Sequence, residues 1–262
     1  MLSAFLGQGS AQGGQAVANN SCVPTSTANG LSFLEQYAIQ ILGIPDPFTV
    51  TPNNVAAINA LQTAQQVTAN GTSAANSFSG LNSYLSPTGA NPAPSVTTAQ
   101  NFDPTAALLG NQLSANNAVQ LGVLWGNIAG GAFTAANGGG GHFVSLTAMN
   151  LNAGAGTMTI LDPWGNSGGA NASTEGAFIS LNVSTVNLTG VGNVLQVTWT
   201  TNAPEDTFNQ DGTDPSDFGA AGATGYIAVE NVEAVPEPGA VAMLGVGAAG
   251  LLLRLRRGRK AI

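Results

Sequence analysis

The sequence predicts an α+β domain, with N-terminal helices packed on an antiparallel sheet, followed by one C-terminal transmembrane helix. Three observations lead to this expectation. Apolar residues recur at helical spacing before residue 118, and short β-rich runs separated by turn residues occupy 121–232. Every lysine and arginine lies between Arg254 and Lys260, behind an uncharged apolar stretch. At 262 residues the chain is long enough for one sizeable domain besides such a tail.

Three helices are expected in the first half of the chain. The first begins at Cys22, where Pro24 suits a first helical turn, and it ends at the IPDP sequence of 44–47. The second covers about 55–68 and the third about 106–118. Asn-, Ser-, Thr- and Pro-rich loops with one short helix are expected over 70–103. The apolar faces of the first two helices are expected to comprise Leu31, Leu34, Ala38, Ile41 and Leu42, and Ala56, Ile58, Leu61 and Ala64.

Six short runs are expected to form the strands of the sheet. They are 121–125, 141–148, 157–161, 178–183, 194–200 and 226–232. Residues 152–156 (NAGAG) are typical of a hairpin loop, which would join the second run to the third. The domain is therefore assigned to 21–233. Residues 1–20 are expected to be a lead-in or the remnant of an export leader, and 234–262 a separate C-terminal region.

Composition restricts the classes of partner that the domain can bind. Charged residues make up 7% of the chain, against a usual ~25%. A domain without lysine or arginine cannot hold phosphate groups by cationic contacts, which argues against nucleic acids and phosphate-bearing cofactors. No cofactor is expected. With a single cysteine, the chain can form no internal disulfide.

The C-terminal region contains three features in a fixed order. Val235-Pro236-Glu237-Pro238 comes first, and the uncharged stretch 239–253 follows it, predicted to cross the inner membrane within 239–255. A basic stop closes the chain, formed by Arg254, Arg256, Arg257, Arg259 and Lys260. The region resembles the PEP-CTERM sorting signal of Gram-negative bacteria. The resemblance implies that an exosortase-type enzyme cuts near Pro236–Pro238 and passes the protein to the cell surface or extracellular matrix. A permanent single-pass anchor is the alternative.

Three residues that are distant in sequence have side chains suited to nucleophilic catalysis. Cys22 lies at a helix start, where partial positive charge favours the thiolate nucleophile. His142 opens one strand and Asp162 ends the next, so a hairpin would bring the carboxylate close enough to orient the imidazole. The alternative for each residue is a packing role, since lone cysteines and histidines are commonly structural.

The segments around these residues, 22–26 (CVPTS), 140–144 (GGHFV) and 160–164 (ILDPW), resemble papain-like cysteine peptidases. The closest resemblance is to the branch that removes double-glycine leaders from bacteriocins, and it covers about 15–165. It implies a peptide substrate, with Cys22 as nucleophile, His142 as base and Asp162 as orienting acid. The family usually has glycine directly after the nucleophile, where Val23 stands here. It usually has glutamine six positions before it, where this chain has alanine, so Gln15, or else Asn19 or Asn20, is expected to stabilise the oxyanion.

An acidic run in a Gly- and Pro-containing loop is a weaker candidate site. It comprises Glu205, Asp206, Asp211, Asp214 and Asp217. Oxygen ligands at short spacing suit Ca²⁺, with Asp211, Asp214 and Asp217 as the candidates, but the spacing does not fit an EF-hand loop. Solvated carboxylates are the alternative. The sequence thus predicts an exported surface protein with a thiol peptidase domain. Its rival is a non-catalytic surface or matrix component on the same scaffold.

Overall fold

The computed structural model describes residues 5–7, 10–11, 13, 17–18, 20–52, 54–135, 140–165, 174–200 and 224–236. The α-helices of this part of the chain are α1 (Cys22–Gln36), α2 (Val55–Ala64), α3 (Ala74–Leu85) and α4 (Ala106–Ser114). A π-helical segment, Tyr37–Leu42, continues α1. The strands are β1 (Thr97–Phe102), β2 (Ala118–Ala129), β3 (Ala132–Ala135), β4 (Gly141–Asn152), β5 (Ala155–Asp162), β6 (Ala177–Leu188), β7 (Gly192–Trp199) and β8 (Thr224–Ala234).

The strands form one antiparallel sheet that closes on itself. Strands β2, β4, β5, β6, β7 and β8 are neighbours in that order, and β8 pairs back with β2. The closure depends on β8, whose first residues pair with β7 and whose last residues pair with β1, while β2 lies along its other edge. The predicted β4–β5 hairpin is confirmed. Its turn residues Ala153 and Gly154 have φ values of 51° and 84°, as a two-residue hairpin turn requires.

Two apolar cores hold this arrangement together. Burial alternates residue by residue along 177–183 of β6, so every second side chain points into the closed sheet. The interior is filled by large side chains, including Trp125, Met158, Ile160, Leu181 and Trp199. A second core lies where the helices pack against the outside of the sheet, and it includes Leu31, Leu34, Ile58, Leu61 and Leu81. The helices thereby cover β2, β4 and β8.

The seam between α1 and the sheet is polar. Gln120, on the outward face of β2, is 2% exposed. Its Nε2 lies within hydrogen-bond distance of the Val23 carbonyl (2.9 Å) and of the hydroxyls of Ser26 (2.6 Å) and Thr27 (3.0 Å). Its Oε1 accepts a hydrogen bond from Asn231 Nδ2 at 2.8 Å. Neutral hydrogen bonds, rather than ion pairs, therefore satisfy the buried polar groups of this seam. The scarcity of charged residues in the sequence predicts this.

Five of the six predicted strands lie within observed strands, and the sixth, 194–200, passes the end of β7 by one residue. Several helical predictions need larger corrections. The second helix ends at Ala64 and the third at Ser114, earlier than predicted. Gln66 and Asn116 adopt positive φ values of 54° and 55° just beyond these ends, which a continuing helix does not allow. The region 70–103 contains a full helix, α3, and the strand β1. Strand β1 was not predicted because its sequence (TTAQNF) is mostly polar. An edge strand buries little surface and needs few apolar residues.

Two predicted core residues are in fact exposed. Ile41 is 71% exposed because the chain becomes π-helical at Tyr37, and the wider turn rotates later residues off the buried face. Ala56 is also exposed, and its neighbour Ala57 is buried instead. The buried face of α2 includes a polar residue, Gln62, which the search for apolar periodicity excluded.

The C-terminal region is described only as far as residue 236. Ala234 is the last residue of β8, and Val235, 8% exposed, packs into the core beneath the helices. Glu237, Pro238, the predicted span and the basic stop lie outside the described residues. Of the helices that are described, none has the length and hydropathy needed to cross a membrane.

Two carboxyl groups are buried in β8. Glu230 is 0% and Glu233 1% exposed. Burial, with a further contribution from the nearby Glu230 charge, raises the pKa of Glu233 to about 8. Burial also raises the pKa of Glu230, against the effect of a 2.9 Å hydrogen bond from Asn101 Nδ2. The folded chain therefore keeps a proton on Glu233 at neutral pH.

We expect the free energy of unfolding to fall as the pH rises from about 4.5 to about 8. The unfolded chain releases the Glu233 proton near the ordinary pKa of 4.5, whereas the folded chain keeps it until about 8. The unfolded state thus binds fewer protons in this window, and the slope approaches about 1.4 kcal/mol per pH unit. Glu35, whose pKa burial and then Asp46 raise to about 7, adds to the trend.

Urea unfolding at pH 5 and pH 8 measures this slope. Glu233→Gln should reduce it relative to the parent chain, because the variant has no group at 233 that titrates. Equal slopes in the variant and the parent chain would contradict the assignment to Glu233.

Candidate active site

The β4–β5 hairpin brings the predicted histidine and aspartate together. His142 is the second residue of β4, and Asp162 is the last residue of β5. Ser145 faces Leu161 across the hairpin, so the chain leaves β5 beside His142. His142 Nε2 and Asp162 Oδ1 are 2.9 Å apart. Within the described residues this is the single contact between a carboxylate and a basic side chain.

Asp162 is held in one orientation by its surroundings. The side chain is 0% exposed. Its Oδ1 accepts a hydrogen bond from the Trp164 backbone N–H (2.9 Å) in addition to the contact with His142. No described donor reaches Oδ2. The carboxylate is thereby fixed beside the imidazole, where it can orient the ring.

His142 lies near the start of β4 and is largely buried beside the Trp125 ring. The side chain is 5% exposed. The Trp125 ring is nearly parallel to the imidazole, 13° apart, with a centroid separation of 6.4 Å. The close approach of β2 requires glycine at position 141, directly before His142. A Cβ atom at Gly141 would lie 2.8 Å from the Val123 carbonyl oxygen, so a side chain there would push β4 away from β2.

Cys22 is the first residue of α1 and is partly exposed. The preceding residue, Ser21, does not cap the helix with its side chain, and its hydroxyl donates instead to the Val17 carbonyl at 2.6 Å. The first turn of α1 thus keeps N–H groups that no N-cap side chain neutralises. Their partial positive charge acts at the position of the cysteine.

Hydrogen bonds fix the helix that carries Cys22 against the strand that carries His142. Ser145 Oγ donates to the Ser26 carbonyl at 3.1 Å. Gln120, which faces Ser145 in the β2–β4 register, binds the same turn of α1. Ser26 follows Cys22 by one helical turn, and Ser145 follows His142 by three residues on β4.

The sequence interpretation missed Gln120 and Ser145. A signal was present, because a glutamine interrupts an apolar strand between Val119 and Leu121. A polar residue at a position where the strand is covered on both faces indicates a buried hydrogen bond.

Of the other residues predicted for catalysis or metal binding, only Asn20 belongs to the part of the chain that the structure describes. Gln15 and Asn19 lie outside the described residues. The Asn20 amide donates to the Ala69 carbonyl at 2.7 Å, so it is engaged with a neighbouring loop. The acidic candidates Asp211, Asp214 and Asp217 also lie outside. In the described ranges no group of three His, Cys, Asp or Glu side chains could hold a metal ion.

Two family models match the chain. Residues 8–181 match the model of the Peptidase C39-like family, and residues 234–257 match the PEP-CTERM protein-sorting motif. The first match spans more than half of the chain and includes Cys22, His142 and Asp162, so the chain belongs to the Peptidase C39-like family. Both resemblances expected from the sequence are thereby confirmed. No curated protein and no solved structure matches the chain.

Replacing Gln120 with leucine is expected to destabilise the fold by about 2–4 kcal/mol, because several buried hydrogen bonds disappear at once. Urea unfolding provides the measurement. The same substitution at the partly exposed Gln196 on β7 serves as the control and should cost less than about 1 kcal/mol. Coincident unfolding curves for the two variants would show that the polar seam contributes little.

Proposed function

We propose that 21–233 form a papain-like thiol peptidase domain that is exported and sorted to the cell surface. The single observation that supports the chemistry best is the buried 2.9 Å contact between His142 Nε2 and Asp162 Oδ1. A buried imidazole oriented by a carboxylate is the base of a nucleophilic triad, and the lone thiol of the chain lies at a helix N-terminus held against the same strand.

Each member of the proposed triad has a distinct role. The contact with Asp162 occupies Nε2, so Nδ1 is the His142 nitrogen that exchanges protons with the thiol. Cys22 Sγ attacks the peptide carbonyl carbon while its proton passes to Nδ1. The C–N bond then breaks, and Nδ1 returns the proton to the leaving amine. Water hydrolyses the resulting thioester and restores the thiol.

The surroundings support this assignment. The Trp125 ring, 4% exposed, lies nearly parallel to the imidazole and excludes water from the proton transfer on that side. Trp164, 2% exposed, binds the Asp162 carboxylate through its backbone N–H. The uncapped first turn of α1 suits the negative charge that develops on the attacked carbonyl oxygen. Gln15 is proposed as the side-chain donor to that oxygen.

The PEP-CTERM motif implies exosortase-directed sorting out of the cell. We propose that residues 239–255 cross the inner membrane transiently and that the cut falls near Pro236–Pro238. Val235 is buried in the core beneath the helices, so this cut would leave the domain intact. It would also remove all five cationic residues, and the mature protein would carry 13 acidic groups and no lysine or arginine if the cut followed Glu237.

One observation favours a second candidate, a non-catalytic surface or matrix component. The chain has Val23 where the family usually has glycine, and alanine where it usually has the oxyanion glutamine. Loss of one oxyanion donor typically lowers the rate about 10²–10³-fold.

The two candidates differ in the expected reactivity of Cys22. In the folded chain at pH 7, iodoacetamide should alkylate Cys22 at least tenfold faster than in the His142→Ala variant, because the imidazole takes the thiol proton. The chain has one cysteine, so mass spectrometry reports this site alone. The urea-unfolded chain provides the reference rate. A folded Cys22 that reacts no faster than the unfolded one would favour the non-catalytic candidate.

Processing of the tail can be tested separately. Replacing Pro236, Glu237 and Pro238 with alanine should leave the chain uncut in an exosortase-containing host, because the recognition motif is gone. Intact mass and membrane fractionation measure the outcome. Identical cleavage of the variant and the parent chain would contradict exosortase processing.

A further inference from the structure

Residues 5–7 lie extended between α1 and the chain that leads into β6. Gly7 N–H donates to the Thr174 carbonyl (2.8 Å), and Gly176 N–H donates to the Phe5 carbonyl (3.1 Å). Leu6 thereby pairs antiparallel with Glu175. We call the strip that holds these residues, between Asn29 and 174–176, the N-terminal slot.

A side chain completes the other edge of the slot. Asn29 on α1 is 1% exposed, and its amide binds both main-chain groups of Leu6. Leu6 N–H donates to Asn29 Oδ1 at 3.1 Å, and Asn29 Nδ2 donates to the Leu6 carbonyl at 3.0 Å. A side-chain amide presents the same donor and acceptor as a peptide group, so Asn29 substitutes for a neighbouring strand. All these bonds go to the main chain of the bound segment, which suits any extended peptide.

The side-chain contacts of residues 5–7 indicate which peptide sequences the slot would bind best. Leu6 packs against the core beneath the helices. The Phe5 ring meets Phe178 edge-on at a centroid separation of 5.9 Å, and Gly7 is buried. The pattern that fits is therefore an aromatic residue, an apolar residue and glycine. All lysines and arginines of the chain lie at 254–260, so uncharged or cationic peptides suit the slot better than acidic ones.

The slot borders the His142–Asp162 pair. A Cβ atom at Gly176 would lie 3.2 Å from the Leu6 carbonyl oxygen and 3.2 Å from the Asp162 carbonyl oxygen. Gly176 thus allows the bound segment to approach the end of β5. The ladder that holds the segment is short, with Leu6 and Glu175 as an isolated bridge. Short ladders open locally at low free-energy cost.

We propose that the N-terminal slot is a peptide-binding site, which the chain's own residues 5–7 occupy in cis. When that segment leaves, the slot takes an extended peptide of the pattern aromatic–apolar–glycine by strand addition. This binding does not depend on the chemistry of Cys22.

The test uses the full chain and a fluorescent peptide with the sequence of residues 1–10. A Cys22→Ala background prevents cleavage of the probe. Adding Leu6→Asp should release residues 5–7 from the slot without changing the residues that line it. Fluorescence anisotropy should then show that the probe binds this variant at least tenfold more tightly than it binds the Cys22→Ala protein. Adding Asn29→Ala should weaken binding at least tenfold. Adding Asn82→Ala, the same change on the exposed face of α3, should not.

Two outcomes would overturn the proposal: no gain in affinity on Leu6→Asp, or equal losses from the Asn29 and Asn82 changes. If Leu6→Asp fails to fold, hydrogen exchange in the background protein replaces it. Excess probe should then slow the exchange of the Gly176 amide several-fold, and an unchanged rate would overturn the proposal.

Discussion

The position of helix α1 on the closed sheet depends on neutral hydrogen bonds, since the apolar cores by themselves leave the polar side chains between them unpaired. A domain without lysine or arginine cannot balance buried polar groups with salt bridges. Gln120 and its partners fill that role, and they do so at the turn of α1 that follows Cys22. The same seam therefore stabilises the fold and sets where the proposed nucleophile lies relative to β4. The buried Glu233 carboxyl is also neutral at pH 7, because burial raises its pKa to about 8.

The candidate site uses the one histidine of the chain. Its position follows from two local features, the close approach of β2 at Gly141 and the tight turn at Ala153–Gly154. Together they bring strand residues 20 positions apart into a 2.9 Å contact. Membership of the Peptidase C39-like family gives this contact a catalytic interpretation, while Val23 and the missing glutamine mark where this chain departs from the pattern.

The parts of the fold that the sequence predicted are those with a strong local signal. Short β-rich runs bounded by turn residues located the strands, and the Asn-Ala-Gly turn located the β4–β5 hairpin and with it the His142–Asp162 contact. Closure of the sheet could not be predicted, because it depends on β8 pairing with β2 and β1 at sequence separations of 100 positions (225 − 125) or more. The π-helical segment moved Ile41 off the buried face, and periodicity assumes a constant helical turn. Asn29 gave no signal, since a single asparagine in a helix does not reveal that it faces the main chain of a distant segment.

The central claim is that folding places the thiol of Cys22 beside the imidazole of His142. A short bifunctional alkylator, 1,3-dibromoacetone, tests this directly, because the chain has one cysteine and one histidine. The account predicts a single intramolecular bridge between Cys22 and His142, seen by peptide mapping in the folded chain and lost after unfolding. A folded chain in which the reagent attaches to Cys22 without ever reaching His142 would contradict it.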